Sequence, residues 1–87
     1  MSMTDESFEV TVFPNPFQES FQVHVPSANQ EPISVRVSDT NGKVVFQSSE
    51  WTTNKVNEVR SNFAQGTYFL FVQKGKEQKI VKLVKVD

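Results

Sequence analysis

Apolar and polar residues alternate with a period of two along most of this chain. In the first such stretch Phe8, Val10 and Val12 share one parity, while Glu9 and Thr11 take the other. No stretch of useful length has the 3.6-residue repeat of an amphipathic helix. The pattern therefore predicts β-strands with one buried face each, and no helix.

About seven short strands are predicted between regular turn signals, and the one at residues 56–59 is weak. The predicted strands are residues 8–12, 21–25, 33–37, 44–46, 56–59, 68–72 and 79–86. The sixth is apolar on both faces, which predicts either a central strand or an outer face covered by a neighbour. Residues 47–54 are polar apart from Trp51 and are predicted to form a crossing loop. This pattern favours an all-β, Ig-like antiparallel two-sheet β-sandwich, with an open barrel of similar strand count as the alternative.

The core of such a sandwich must be built without crosslinks. The 87 residues suit one domain near the lower size limit, and there is no cysteine for a disulfide or a thiolate metal site. Eight phenylalanines, one tryptophan and one tyrosine are present. Because each such ring buries about 150–250 Å² when interior, a modest core is expected.

Residues typical of tight turns lie between several of the predicted strands. Asn41-Gly42 is expected to provide the left-handed backbone conformations of a tight hairpin, and Asp39 is placed to accept hydrogen bonds from the amides of that turn. Further turns are predicted at Gln65-Gly66 and within residues 73–78. The 44–46 strand should therefore pair back on the 33–37 strand.

The segment Pro14-Asn15-Pro16 separates the first two predicted strands. Proline lacks an amide hydrogen, and the residue before it is held extended. We expect a stiff corner that crosses from the first strand to the second, with Asn15 bonded to its local backbone in an Asx-turn. Simple strand termination is the alternative interpretation.

Charge is distributed unevenly along the chain. Residues 1–35 contain five acidic and no lysine or arginine residues, whereas residues 73–87 contain five lysines and two acidic residues. The lysines either protect an exposed edge strand from indiscriminate pairing or form a basic surface for a partner. A net charge of −1 gives no reason to expect nucleic-acid binding.

Residues suited to catalysis are scarce. The single histidine, His24, falls on the solvent parity of its strand, and no glycine-rich phosphate loop or nucleophile elbow is present. With no second histidine and no cysteine, a zinc site has almost no candidate ligands. We therefore predict that the chain is not an enzyme and uses no cofactor or metal.

The first residues are polar and acidic and do not resemble a secretory signal peptide. No stretch approaches the roughly 20 apolar residues that span a bilayer. We expect residues 1–7 to be vector-derived or a linker, residues 8–87 to be the domain, and any export signal to lie elsewhere in a longer protein.

Four segments together resemble the C-terminal sorting domain of the type IX secretion system (Por secretion system, type A) of Bacteroidetes. An aromatic residue precedes Pro-Asn-Pro in residues 12–17, and residues 35–45 join an alternating strand to Asp-x-x-Gly-Lys and two valines. Residues 66–70 have the Gly-x-Tyr motif, and residues 79–85 form a lysine-bearing apolar strand. One departure is Phe-Ala-Gln at residues 63–65, where the family often has Leu-Pro-x.

The resemblance implies an Ig-like sandwich that directs a larger secreted cargo protein through an outer-membrane translocon. Its implied partners are the translocon, shuttle and sortase proteins, and a sortase removes many similar domains after export. The implied location is the periplasm in transit, then the cell surface or the medium. Neither nucleic acid nor a small-molecule substrate is expected, and exposed strand edges leave weak homodimerisation open.

Two groups of site residues follow from these motifs. The sorting-motif and turn residues are Pro14, Asn15, Pro16, Asp39, Gly42, Lys43, Gly66 and Tyr68. The candidate translocon-recognition residues, all in the last strand, are Lys79, Lys82, Leu83, Val84 and Lys85. We expect a receptor to add a strand to that terminal ribbon, with the lysines selecting an acidic partner.

Two other functions compete with sorting. In a carbohydrate-binding or adhesive module, Trp51 and Tyr68 would be the platforms on which sugars stack. An interdomain spacer would require further sequence after Asp87 in the parent protein.

Overall fold

A computed structural model of the chain describes residues 8–87, so the expectation for residues 1–7 lies outside the described part. The strands are β1 (Thr11–Phe13), β2 (Ser20–His24), β3 (Pro32–Asp39), β4 (Val44–Thr52), β5 (Val56–Arg60), β6 (Gly66–Lys74) and β7 (Glu77–Lys85). Over the described range no helix is long and apolar enough to cross a membrane.

The strands form two separate antiparallel sheets. The smaller has the order β1-β2-β5, and the larger has the order β4-β3-β6-β7. This is the predicted all-β sandwich, and the division into two sheets rules out the barrel. β6 lies between β3 and β7, which confirms the central position predicted from its two apolar faces.

One continuous core lies between the sheets. It includes Phe21 and Val59 from the smaller sheet and Leu70, Val72 and Leu83 from the larger, each 0% or 1% exposed. Full burial of a side chain of this size stabilises the fold by about 1.5–3 kcal/mol. The period-2 pattern is therefore explained by the need of each sheet to cover the other.

β4 is longer than the sequence predicted, because residues 47–52 continue the strand rather than forming a loop. Its register against β3 shifts twice, between Ile33 and Val35 and between Val37 and Ser38. Trp51 pairs with Ile33, and its ring centroid lies 5.9 Å from that of Phe46. The strand was predicted too short because residues 47–50 are all polar and do not alternate with apolar residues.

β1 and β2 are neighbours in one sheet, with Val12 opposite Val23. The prolines therefore lie in a connection between paired strands, and the predicted crossover is wrong. β1 is also shorter than predicted, although Phe8 ahead of it is buried. Both X-Pro bonds in the segment, Phe13-Pro14 and Asn15-Pro16, are cis.

The β3–β4 turn confirms the role predicted for Asp39. Its Oδ1 accepts hydrogen bonds of 2.9 Å from the backbone N–H groups of Asn41 and Lys43. Gly42 alone in this turn has a positive φ, +88°. The left-handed conformation expected at Asn41 is therefore absent.

Candidate functional site

The strand register gathers the motif residues at one end of the larger sheet. Asp39 of β3 pairs with Tyr68 of β6, and Tyr68 pairs in turn with Leu83 of β7. In the next pairs along the ladder, Gly66 lies opposite Lys85. We call this the motif end of the sheet, because segments far apart in the sequence meet there.

The Asn15 side chain binds the backbone of β7. Its Nδ2 donates to the carbonyl oxygen of Lys82 at 2.9 Å, and its Oδ1 accepts from the N–H of Val84 at 3.1 Å. One amide thus provides the donor and acceptor that a neighbouring strand would offer. The predicted local Asx-turn is wrong, since the partners lie 67 and 69 residues away.

Backbone bonds at Phe17 continue this pairing. The Phe17 N–H donates to the Val84 carbonyl, and the Val86 N–H donates to the Phe17 carbonyl, both at 2.9 Å. The Phe17 ring is 1% exposed and packs edge-on against Phe21, with centroids 4.7 Å apart. We call residues 15–17 with their bonds to β7 the Asn15 clamp; the buried ring fixes it to the core.

The clamp covers only part of the β7 edge. Since Lys82 and Val84 direct backbone groups outward to the clamp, alternation directs those of Gln78 and Ile80 to the same side. The nine β6–β7 pairs run without a register shift, so this alternation is unbroken. Residues 8–87 supply no backbone partner to the outward groups of Gln78 and Ile80. We call Gln78–Lys82 the open edge.

The candidate recognition residues differ in accessibility. Lys82 is exposed, while Lys79, Val84 and Lys85 are half-buried. Leu83 is 0% exposed and belongs to the core, so a partner cannot touch its side chain on the folded domain. Ile80, 54% exposed, was not among the predicted residues. Its apolar character at a solvent-parity position of the last strand was the available signal.

Two predicted motif residues, Gly66 and Tyr68, stabilise the start of β6. Gly66 has a φ of +152°, a conformation that other residues rarely adopt. Tyr68 is 6% exposed, its hydroxyl donates to the Ala64 carbonyl, and its ring packs 5.1 Å from that of Phe63. The strand start is therefore held by backbone geometry and by a buried tyrosine.

The residues proposed for other chemistries do not assemble into a site. Tyr68 is buried and cannot stack on a sugar, while Trp51 is half-buried with its ring centroid 5.9 Å from that of Phe46. His24 pairs across the smaller sheet with Thr11 and Val56 and is half-buried. Within residues 8–87, no group of three or more His, Cys, Asp or Glu side chains could hold a metal ion.

The motif end has exposed lysines and prolines around the Asn15 clamp. Lys43 is exposed beside the β3–β4 turn, and Lys82 is exposed next to the Asn15 clamp. Pro14 and Pro16 flank the clamp and are also exposed. Lys82 also adjoins the open edge, and the unpaired backbone groups of Gln78 and Ile80 together with this positive charge suit binding of an extended acidic segment.

A comparison with known families gives a match over nearly the whole described chain. The sequence model of the family described as the secretion system C-terminal sorting domain matches residues 11–86. No curated protein matches the chain at a significant level. The matched range includes all seven strands and both the Asn15 clamp and the open edge.

Proposed function

The chain belongs to the family of C-terminal sorting domains of the type IX secretion system, and from this membership we propose that it directs a larger cargo protein through the outer-membrane translocon. A shuttle and a sortase act on the cargo after recognition, and the sortase removes the domain. The route runs through the periplasm to the cell surface or the medium. Recognition, rather than catalysis, is the task of this domain.

The observation that best supports this proposal is the state of β7. It is regular, with nine unshifted pairs to β6, and the outward backbone groups of Gln78 and Ile80 have no backbone partner among residues 8–87. Such an edge accepts an extended peptide as an additional strand. The receptor therefore binds the folded ribbon rather than an unfolded tail.

The charge of the ribbon favours a particular receptor segment. Lys79, Lys82 and Lys85 occur at every third position of β7, with Lys76 in the turn before it. Positive charge along an edge opposes pairing with a second copy of the same edge and favours an acidic partner. We propose that the receptor strand has acidic side chains next to these lysines.

A fusion experiment tests the function itself. The whole chain is joined to the C-terminus of a reporter with an N-terminal secretory signal and produced in a bacterium with a working type IX system. Reporter outside the cells is expected there, with periplasmic retention in an isogenic strain without the translocon. The reporter lacking the domain is the control. Retention in both strains, or release in both, would contradict the proposal.

A charge variant tests the recognition step. Lys82→Glu places an acid at the exposed position closest to the clamp and should lower export at least about tenfold. The matched control is Lys55→Glu in the exposed β4–β5 turn, which should export like the unaltered chain. Equal export of both variants would show that the charge of β7 does not contribute to recognition by the receptor.

A further inference from the structure

The larger sheet has a second face, which points away from the core. The register and burial pattern place the alternate residues of β3, β6 and β7 on it. These residues are Ser34, Arg36, Ser38, Thr67, Phe69, Phe71, Gln73, Gln78, Ile80, Lys82 and Val84. We call this set the outer face.

The outer-face residues of β3, β6 and β7 include aromatic rings and two cations, Arg36 and Lys82. Phe71 pairs with Arg36 on one side and Ile80 on the other, and Phe69 pairs with Lys82. None of the eleven outer-face residues is acidic. Arg36 is exposed and forms no ion pair with a carboxylate of residues 8–87. Phe69 and Phe71 are half-buried and Ile80 is 54% exposed, and apolar side chains at the surface beside a free cation indicate an interaction surface.

The position of the Arg36 guanidinium decides which partner fits. Its central carbon lies 4.3 Å from the centroid of the Phe71 ring, in a cation–π contact. The cation occupies the ring face on which a sugar would stack, but the N–H groups at its edge stay available to a planar carboxylate. A depression of about 170 Å³ beside it is lined by Ser34, Gln47, Gln73 and Gln78, which offer further hydrogen bonds.

We propose that the outer face is a docking surface for a protein of the secretion apparatus that presents an Asp or Glu side chain to Arg36. Apolar side chains of the same partner contact Phe69, Phe71 and Ile80. Arginine and aromatic residues are the groups that most often dominate binding energy in protein interfaces. The inference rests on the proposed function, because the partner belongs to the export machinery, and it adds a surface distinct from the open-edge backbone.

Two pairs of variants in the same reporter fusion test the docking surface. Arg36→Glu reverses the free cation, and its control is Arg60→Glu, exposed on the smaller sheet. Ile80→Glu places an acid on the outer face while Arg36 and Phe71 themselves stay unchanged. Its control is Val56→Glu, because Ile80 and Val56 are 54% and 56% exposed. Melting temperatures of the four isolated variants check that each remains folded.

Export should fall at least about tenfold for Arg36→Glu and Ile80→Glu and stay within about twofold of the unaltered chain for both controls. Arg36→Lys should give an intermediate loss, because lysine keeps the charge but not the planar fork. Normal export of Arg36→Glu, with or without a defect in Ile80→Glu, would overturn the docking surface while leaving the sorting function intact, because Ile80 also belongs to the open edge. An unaltered fusion that fails to leave the cell would overturn both.

Two binding measurements separate the partner from other occupants. The isolated domain is titrated with uronate and sulfated oligosaccharides, and its self-association is followed by sedimentation. Arg36-dependent binding of these sugars without an export defect would assign the face to an anionic glycan and overturn the proposal. An Arg36-dependent dimer without an export defect would assign it to a second copy and overturn it equally.

Discussion

The two edges of the larger sheet are built differently. β4, at one edge, has two register shifts against β3, whereas β7, at the other, pairs with β6 through nine residues without a shift. Register shifts bend and twist a strand, and this protects an edge from adding another chain. β7 has no such irregularity and is instead covered in part by the Asn15 clamp.

The difference leaves one edge of the sheet able to pair with an added strand, and this is the edge that we propose for recognition. A strand with register shifts along its length cannot pair regularly with an added strand. A regular strand that is covered only near its end keeps a short stretch, of defined position, where an added strand can pair. The clamp thus limits the open edge to Gln78–Lys82 and fixes the register of that ribbon against the core. The predictions below contrast the two edges, beginning with the largest expected effect.

The most damaging change should be Leu83→Ala in β7. Leu83 is fully buried, so the truncation removes apolar contacts and leaves a cavity, at a cost of about 2–5 kcal/mol in the free energy of unfolding. Val44→Ala in β4, where the side chain is 42% exposed, should cost about 0.5 kcal/mol or less. Urea unfolding of both variants measures the contrast. Equal losses would mean that β7 is not anchored in the core.

Gly66→Val should be next in size. The residue has a φ of +152° and pairs with Lys85, so strain there disturbs β6 opposite the covered end of β7. Nothing lies within 4 Å of an added Cβ, so the backbone conformation alone sets a cost of about 1–3 kcal/mol. Thermal unfolding should show a lower Tm. Gly75→Asn, at a φ of +61° that asparagine tolerates, is the control and should change the Tm far less.

Asn15→Ala should weaken the clamp without unfolding the domain. Two hydrogen bonds to β7 are lost, at about 0.5–1.5 kcal/mol each. Hydrogen exchange of the Val84 amide should accelerate, while the Ile80 amide should exchange fast in both proteins. Asn62→Ala, at an exposed position outside the strands, should leave both amides unchanged. Unaltered Val84 exchange in Asn15→Ala would contradict the clamp.

The smallest effect should come from Ile80→Thr on the open edge. The side chain is 54% exposed and both residues are β-branched, so the free energy of unfolding should change by about 0.5 kcal/mol or less. Val81→Thr, on the core-facing parity, should cost more because it places a hydroxyl against apolar neighbours. A larger loss at position 80 than at position 81 would reverse the assigned faces of β7.

Much of the fold was predictable because it depends on local patterns. Alternation identified β2, β3, β6 and β7, and the two apolar faces of β6 indicated its central position. Asp39 was assigned correctly since its partners lie 2 and 4 residues away. The second half of β4 was missed, because an irregular edge strand needs no regular alternation.

The site was less predictable than the fold. Asn15 was recognised as part of a motif, but its hydrogen bonds to Lys82 and Val84 join residues at opposite ends of the chain. No local propensity encodes such a contact. The burial of Leu83 and the division of β7 into covered and open portions depend in the same way on the assembled sandwich.

The central claim is that the receptor binds the open edge of β7. Export of an Ile80→Pro fusion tests this claim most directly. Proline at this position removes an outward N–H that no backbone group of residues 8–87 accepts, and edge strands tolerate proline there. Ser49→Pro, exposed on the β4 edge, is the matched control. With both variants shown to be folded, export should fall at least about tenfold for Ile80→Pro and remain unchanged for Ser49→Pro. Export of a folded Ile80→Pro fusion at the unaltered rate would contradict the claim.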